Sequence, residues 1–411
     1  MRQTENILQK LAVLYIIVWS IAPPLQIDMI YRIAALGFAG VWLLAAVRRG
    51  YCVKKVHIYA LAFALVVAVI AYVEKGSFDG VLKQIAIYIL VICFLINCFY
   101  EDGKWDEFRL LVPIILIMLI VFNYRSFQVV LEDHTIARKL VRADESVYQY
   151  LRQGVGGYSL IYPQVCIFPA ILSWILHVFK ENKIYFMIGC IWIFTYIAYL
   201  ANAGYSIAIF ASVVGAFMLF FYRRKNIFMA AMIAGILFAL MFWAVLNVGW
   251  LQTWLLETFD GTAVADKVQD LLVTSESGIA EGSIQSRIMA YRGSIDVILE
   301  YPLLGGLWKK NGGGHSAILD MVAKYGLWGG IIYIVMIFYV PNHYKTLTSN
   351  RLIWRISNGV MVSTLFVGIL DSFNYSFMCM LVLVLPIIYE DIMRWEGIRY
   401  ESAVGRKFNT D

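Results

Sequence analysis

"IFMAAMIAGILFALMFWAVLNVG" (227–249) runs without a single charged side chain. At 1.5 Å per residue, a helix of this length is about 34 Å long, enough to cross a hydrocarbon core of roughly 30 Å. Comparable apolar runs occupy 8–23, 27–47, 56–73, 81–99, 108–124, 158–179, 184–202, 205–222, 317–341, 352–370 and 373–391. Charged residues make up 15% of the 411-residue chain, against roughly 25% in a soluble domain. The sequence therefore predicts an all-α polytopic integral membrane protein of about twelve transmembrane helices, with 1–411 forming a single membrane domain. The first run has polar flanks, "NILQK" and "APPLQID", and no small-residue cleavage site. It reads as a retained span, not a signal peptide.

Orientation follows from Lys and Arg in short loops. Arg48, Arg49, Lys54 and Lys55 follow the second run, Lys180 and Lys183 the sixth, and Arg223, Arg224 and Lys225 the eighth. Lys345 and Arg351 follow the tenth, and Arg394, Arg399, Arg406 and Lys407 lie in the tail. All fall on one side if both termini are cytoplasmic. The net charge of +6 reflects this topology and gives no reason to expect a nucleic-acid partner. The six cysteines lie in or beside spans, so no disulfide framework and no zinc spacing is implied.

Two connections are long, 125–157 and 250–316, and both fall on the extracytoplasmic side. Loops of this length are functional or disordered. The first carries Arg125, Arg138, Lys139, Arg142 and Arg152. The second carries Lys267, Arg287, Arg292, Lys309 and Lys310. Basic residues there oppose the preferred topology. They either pair with nearby acids (Glu132, Asp133, Asp144, Glu145, Asp296) or lipid headgroups, or they bind an anion, for which the arginine fork suits phosphate oxygens. In the second loop, Ser286 is a candidate helix cap and Pro302 stops the helix after Glu300. Arg287 and Tyr291 share a face one turn apart. "NGGG" (311–314) then leads to His315, expected in the first turn of the next helix. Asp320 and Lys324 are spaced as an ion pair. His57, His177 and His343 are expected near the cytoplasmic surface and His134 on the outer one.

"SRIMAYRGSIDVILEYPLLGG" (286–306) followed by "GHSAILDMVAKYGLWGG" (314–330) resembles the shared C-terminal motif of the O-antigen polymerase and O-antigen ligase superfamily. The matching positions are Arg287, Tyr291, Glu300, Pro302 to Gly305, His315, Ser316, Gly326 and Gly329. The resemblance implies a fold similar to the GT-C membrane glycosyltransferases. It also implies a bacterial cytoplasmic (inner) membrane location with an extracytoplasmic active site. The activity implied is transfer of a glycan from undecaprenyl pyrophosphate on the outer leaflet, with a chain-length regulator as a partner protein beside membrane lipids. One departure stands out. Where family members often carry an arginine at the outer start of the eighth span, this chain has "NAGYSIA" (202–208), with Tyr205 and Ser206.

Such a transfer requires cations aimed at the pyrophosphate leaving group and a group that positions or deprotonates the acceptor hydroxyl. The expected catalytic residues are Arg287 and His315. Arg152, Arg142, Arg138, Arg292, Tyr291 and Tyr158 are expected to bind pyrophosphate and sugar, and Tyr162 and Trp308 are further stacking candidates. The donor is already activated, so no cofactor and no metal are expected, and the sequence has no Walker loop or dinucleotide fingerprint. Polymerase is the leading expectation and ligase the alternative within the class. A flippase for lipid-linked sugars is the alternative of another class. It is disfavoured because the charges near the spans (Arg32, Lys83, Asp371) sit at span ends.

Overall fold

The computed structural model describes residues 2–51, 55–82, 84–100, 104–140, 145–222, 226–260, 264–265, 268–269, 271–273, 282–306, 313–372 and 375–398, and the regular structure among them is helical. The chain begins with α1 (Arg2–Ile21), α2 (Pro23–Ile27), α3 (Met29–Arg48), α4 (Lys55–Lys75), α5 (Phe78–Leu82) and α6 (Ile85–Phe99). It continues with α7 (Leu111–Glu132), α8 (Thr135–Lys139), α9 (Glu145–Arg152), α10 (Tyr158–Glu181), α11 (Lys183–Ala203), α12 (Ser206–Phe221), α13 (Ile227–Asn247) and α14 (Gly249–Thr258). The last part comprises α15 (Gly282–Glu300), α16 (Ala317–Leu347), α17 (Arg351–Leu370), α18 (Tyr375–Cys379) and α19 (Leu385–Trp395), the last two joined by a π-helical turn at Met380–Val384.

Among the described residues, seven helices are long and apolar enough to cross a membrane: α3, α7, α10, α11, α13, α16 and α17. Three shorter apolar helices lie at His57–Val73, Ile87–Phe99 and Ser206–Phe221. The opening stretch forms α13 as expected, and its lipid-like surroundings are plain. Only 11% of its apolar window is buried, against 83% for α10. Phe228, Ile236, Leu240 and Trp243 all point outward, an arrangement water would penalise and lipid does not. α10 is the central post, packed against α11, α12, α17 and α19.

Several boundaries differ from expectation, the run 81–99 dividing into α5 and α6 and the run 317–341 extending to Leu347; two others bear on the site. α7 runs on to Glu132, past the polar "NYRS" at 123–126 that ends the apolar run, because a helix needs backbone hydrogen bonds and not hydropathy to continue. Its buried Asn123 is satisfied by Gln164 of α10, donating to it over 2.9 Å. α15 starts at Gly282, so Ser286 lies inside the helix and is not its cap.

The architecture around the second long loop depends on α16. This helix breaks at Gly326, where φ is 70° and ψ is −177°. Below the break, Leu327 to Leu347 measures about 31 Å, and the twenty residues of α17 about 30 Å, each one hydrocarbon thickness. The two helices join through Thr348 and Asn350 at one membrane surface, so Gly326 and Leu370 both mark the opposite surface. The segment Ala317–Tyr325 bridges those tops. Its first N–H, from Ala317, donates to the Asp371 carbonyl at 2.9 Å. α15 packs along it, Ser294 against Asp320 and Gly306 N–H to the Ala323 carbonyl at 2.7 Å.

Candidate functional site

The site is built on the end of α17. The last carbonyls of a helix lack intrahelical donors and carry the negative end of its dipole. At Leu370 that carbonyl receives two donors from α15: Arg287 Nη1 at 3.0 Å and the Tyr291 hydroxyl at 2.8 Å. The i,i+4 spacing read from the sequence delivers both side chains to one acceptor.

Asp371, the next residue, supplies the counter-charge. Its side chain is 3% exposed, and a carboxylate so buried must be paired. Oδ2 lies 3.5 Å from Arg287 Nη2 and accepts the Tyr162 hydroxyl, while Oδ1 accepts the Ser372 N–H at 2.8 Å. Burial works against the Arg287 cation. The Asp371 carboxylate, with Tyr158, Tyr162 and Tyr291 around it, outweighs that and raises the arginine's pKa further. Arg287 therefore stays charged at every accessible pH. It is oriented from behind by the α17 terminus and keeps 27% of its side chain exposed, so its outer edge can meet an anion.

His315 comes to the same helix end by another route. It precedes the N-cap of α16 and does not lie in the helix's first turn as expected. Ser316 is the cap, accepting from Leu319 N–H at 3.2 Å and donating to the Gly368 carbonyl at 3.1 Å. His315 is thus tethered to the last turn of α17, as Arg287 is. It is half-buried and makes no hydrogen bond among the described residues. The Asp320 carboxylate, expected beside Lys324, instead takes the Ser294 hydroxyl at 2.5 Å and the Ser316 N–H at 3.0 Å. It holds the histidine loop against α15. Gly313 completes this lock, donating to Ser294 at 2.8 Å with its Cα packed on the Ala290 backbone.

Aromatic residues wall the site. Tyr158 and Tyr162, one turn apart at the start of α10, have ring centroids 4.9 Å apart, and Tyr158 meets Tyr205 edge-on at 5.0 Å. Tyr199 anchors the preceding loop by donating to the Gly156 carbonyl. Tyr205, at the position where the resemblance implies an arginine, is thus a buried tyrosine against Tyr158.

The other expected residues that are described do not contact this cluster. Arg152 forms an exposed pair with Asp28 at 3.4 Å, of the kind worth under about 1 kcal/mol. Lys139 pairs with Asp133 at 3.5 Å, the plainer of its two readings. Arg292 is exposed, on a different side of α15 from Arg287. Arg142 and Trp308 lie outside the described residues, as does the side chain of Arg138. His57, expected near the solvated surface, is buried, 3.0 Å from the Tyr51 hydroxyl. Asp371 is the residue sequence reasoning undervalued. An acid in a short connection with no basic neighbour, "LDSFN" (370–374), signals a partner from elsewhere in the chain.

No family model matches the chain, and no curated protein matches it.

Proposed function

We propose that this protein is an integral-membrane glycosyltransferase of about twelve spans with a GT-C-like fold. It acts as a polysaccharide polymerase of a bacterial cytoplasmic membrane, moving a glycan from a polyprenyl pyrophosphate carrier onto a lipid-linked repeat unit on the outer leaflet. One observation carries the reading. Arg287 and His315, the two residues singled out by the motif, are anchored on the same last turn of one helix, beside Tyr158, Tyr162 and Tyr291.

Each part has a role. As the glycosidic bond breaks, the departing pyrophosphate gains negative charge, and a fixed guanidinium stabilises it without reorganising. Asp371 and the Leu370 carbonyl act as positioning groups that hold the fork. His315 orients the acceptor hydroxyl and takes its proton. The tyrosines offer flat faces to sugar rings. Arg152, whose exposed pair with Asp28 is weak and exchangeable, suits a second phosphate contact at the loop before α10. The same parts would serve a ligase that moves the finished chain to a cell-surface acceptor.

Loss of the protein separates the readings. A polymerase defect leaves single repeat units on the final acceptor, a ligase defect leaves full-length chains on the carrier, and a flippase defect leaves units on the inner leaflet. We expect the first pattern, and the third would overturn the enzyme reading. His315→Ala is expected to abolish polymer at unchanged protein level, a general-base loss of roughly 10²–10⁴-fold, read by the polymer ladder on a gel. Asp371→Asn keeps an acceptor for Tyr162 but removes the charge behind Arg287. It should lower kcat by up to about 10²-fold, the cost of a misplaced group, with KM little changed. An unaltered kcat would remove Asp371 from this role.

A further inference from the structure

α15 exposes a second face that the proposed chemistry does not use. With successive residues about 100° apart around a helix, Arg287, Tyr291, Ser294 and Val297 turn toward α16 and α17. Ile288, Ile295 and Leu299 form a separate strip, and all three are exposed, Leu299 to 75%. Beyond Glu300 the strip continues in Leu303 and Leu304, the latter 66% exposed. Gln285, Asp296 and Glu300 occupy the remaining arc, interrupted by the exposed Met289. The helix therefore has three faces: one packed, one apolar and exposed, and one exposed and mainly polar that carries the single apolar Met289.

The apolar strip runs into the exposed apolar surface of a helix long and apolar enough to cross a membrane. The turn at 302–306 is locked onto the break in α16, Leu327 N–H donating to the Pro302 carbonyl at 2.8 Å. Immediately below the break, Leu327, Trp328, Ile331 and Val335 are exposed along a helix that crosses the membrane, Trp328 to 67%. Leu303 and Leu304 thus join a lipid-facing wall at the depth where an interfacial tryptophan belongs. Both ends of the Ala317–Tyr325 bridge lie at that same surface, so α15, packed along it, runs in the plane of the interface.

We propose that the bilayer itself covers this face: α15 and the 302–306 turn lie half-submerged in the leaflet, Ile288, Ile295, Leu299, Leu303 and Leu304 among acyl chains. Arg292, on the border between the apolar and polar arcs, reaches up to headgroup phosphates with its stem along the apolar strip. The helix that carries Arg287 is then set at a fixed depth, and a lipid-borne phosphate diffusing in the leaflet meets the guanidinium at headgroup level. Arg292 is a membrane anchor and not a second site cation.

Nitroxide labels on the full-length protein in phosphatidylethanolamine–phosphatidylglycerol vesicles test this. Single cysteines are placed by Ile295→Cys, Leu299→Cys, Leu304→Cys, Arg292→Cys, Gln285→Cys and Asp296→Cys, with Cys52 and Cys190 changed to serine. Collision rates are measured with oxygen, which concentrates in lipid, and with a water-soluble nickel chelate. Positions 295, 299 and 304 are expected to favour oxygen several-fold over nickel, 285 and 296 the reverse, and 292 to lie between. Nickel access at 299 and 304 equal to that at 296 would overturn the proposal. Protection of 299 and 304 from both reagents would also overturn it, since protein and not lipid would then cover the face. The readout needs no turnover, so it stands or falls separately from the proposed reaction.

Discussion

Arg287→Ala is expected to eliminate polymer while leaving the protein folded and in the membrane. Losing one preorganised donor to a developing anion costs about 2.7–4 kcal/mol, roughly 10²–10³ in rate. Asp371 loses its counter-charge, so the thermal midpoint is expected to fall, but the remaining hydrogen bonds hold the helix end together. The Leu370 carbonyl keeps Tyr291, and the Asp371 carboxylate keeps Tyr162 and the Ser372 N–H. Arg287→Lys should fail almost as badly. A single ammonium cannot reach the Leu370 carbonyl and Asp371 together and still present an edge to phosphate. Transfer rates of purified variants, with thermal unfolding as the control for folding, decide the matter. A wild-type rate in either variant would remove Arg287 from the chemistry.

The second large effect is structural. Gly326 sits at φ 70° and ψ −177°, a region essentially reserved for glycine, where another residue costs about 1–3 kcal/mol. A Cβ there would also stand 2.1 Å from the Leu303 carbonyl oxygen. Reciprocally, a Cβ on Gly305 would stand 2.4 Å from the Lys324 carbonyl oxygen. Both obstacles are backbone, so no side chain can swing aside. Gly326→Ala is expected to lower the thermal midpoint clearly and to reduce transfer with it, because the interlock sets where α15 holds Arg287. Gly235→Ala, in a lipid-facing helix with nothing within 4 Å of the new Cβ, should leave the midpoint unchanged or slightly higher. Equal midpoints for the two variants would contradict this account of the α16 break.

What the sequence could convey depended on how local each signal was. Apolar runs report spans directly, since lipid demands a continuous apolar surface, and α13 and α10 both lie where the runs do. Helix ends were less legible. Asn123 to Ser126 looked like the end of a span, yet α7 continues because Gln164 of another helix satisfies Asn123. The Arg287–Tyr291 pairing was readable because it is one turn long. Its acceptor was not, since Leu370 is 83 residues away in the chain. Asp371 was discounted as a span-end charge for the same reason. The glycines of "PLLGG" and "NGGG" read only as a turn and a connecting loop. Gly305, Gly313 and Gly326 instead permit backbone-to-backbone packing, which spacing alone cannot distinguish from a loose loop. The partner of Arg152 was equally hidden, since Asp28 comes from a different part of the chain.

The central claim is that a bond is made on a lipid-linked glycan at Arg287 and His315. The most direct measurement supplies purified protein in liposomes with a polyprenyl-pyrophosphate-linked repeat unit, in the presence of a chelator. The wild type is predicted to release polyprenyl pyrophosphate and lengthen the glycan into a ladder, and Arg287→Ala and His315→Ala to do neither. Intact substrate merely moved between leaflets with no new glycosidic bond, or equal ladders from all three proteins, would contradict the account.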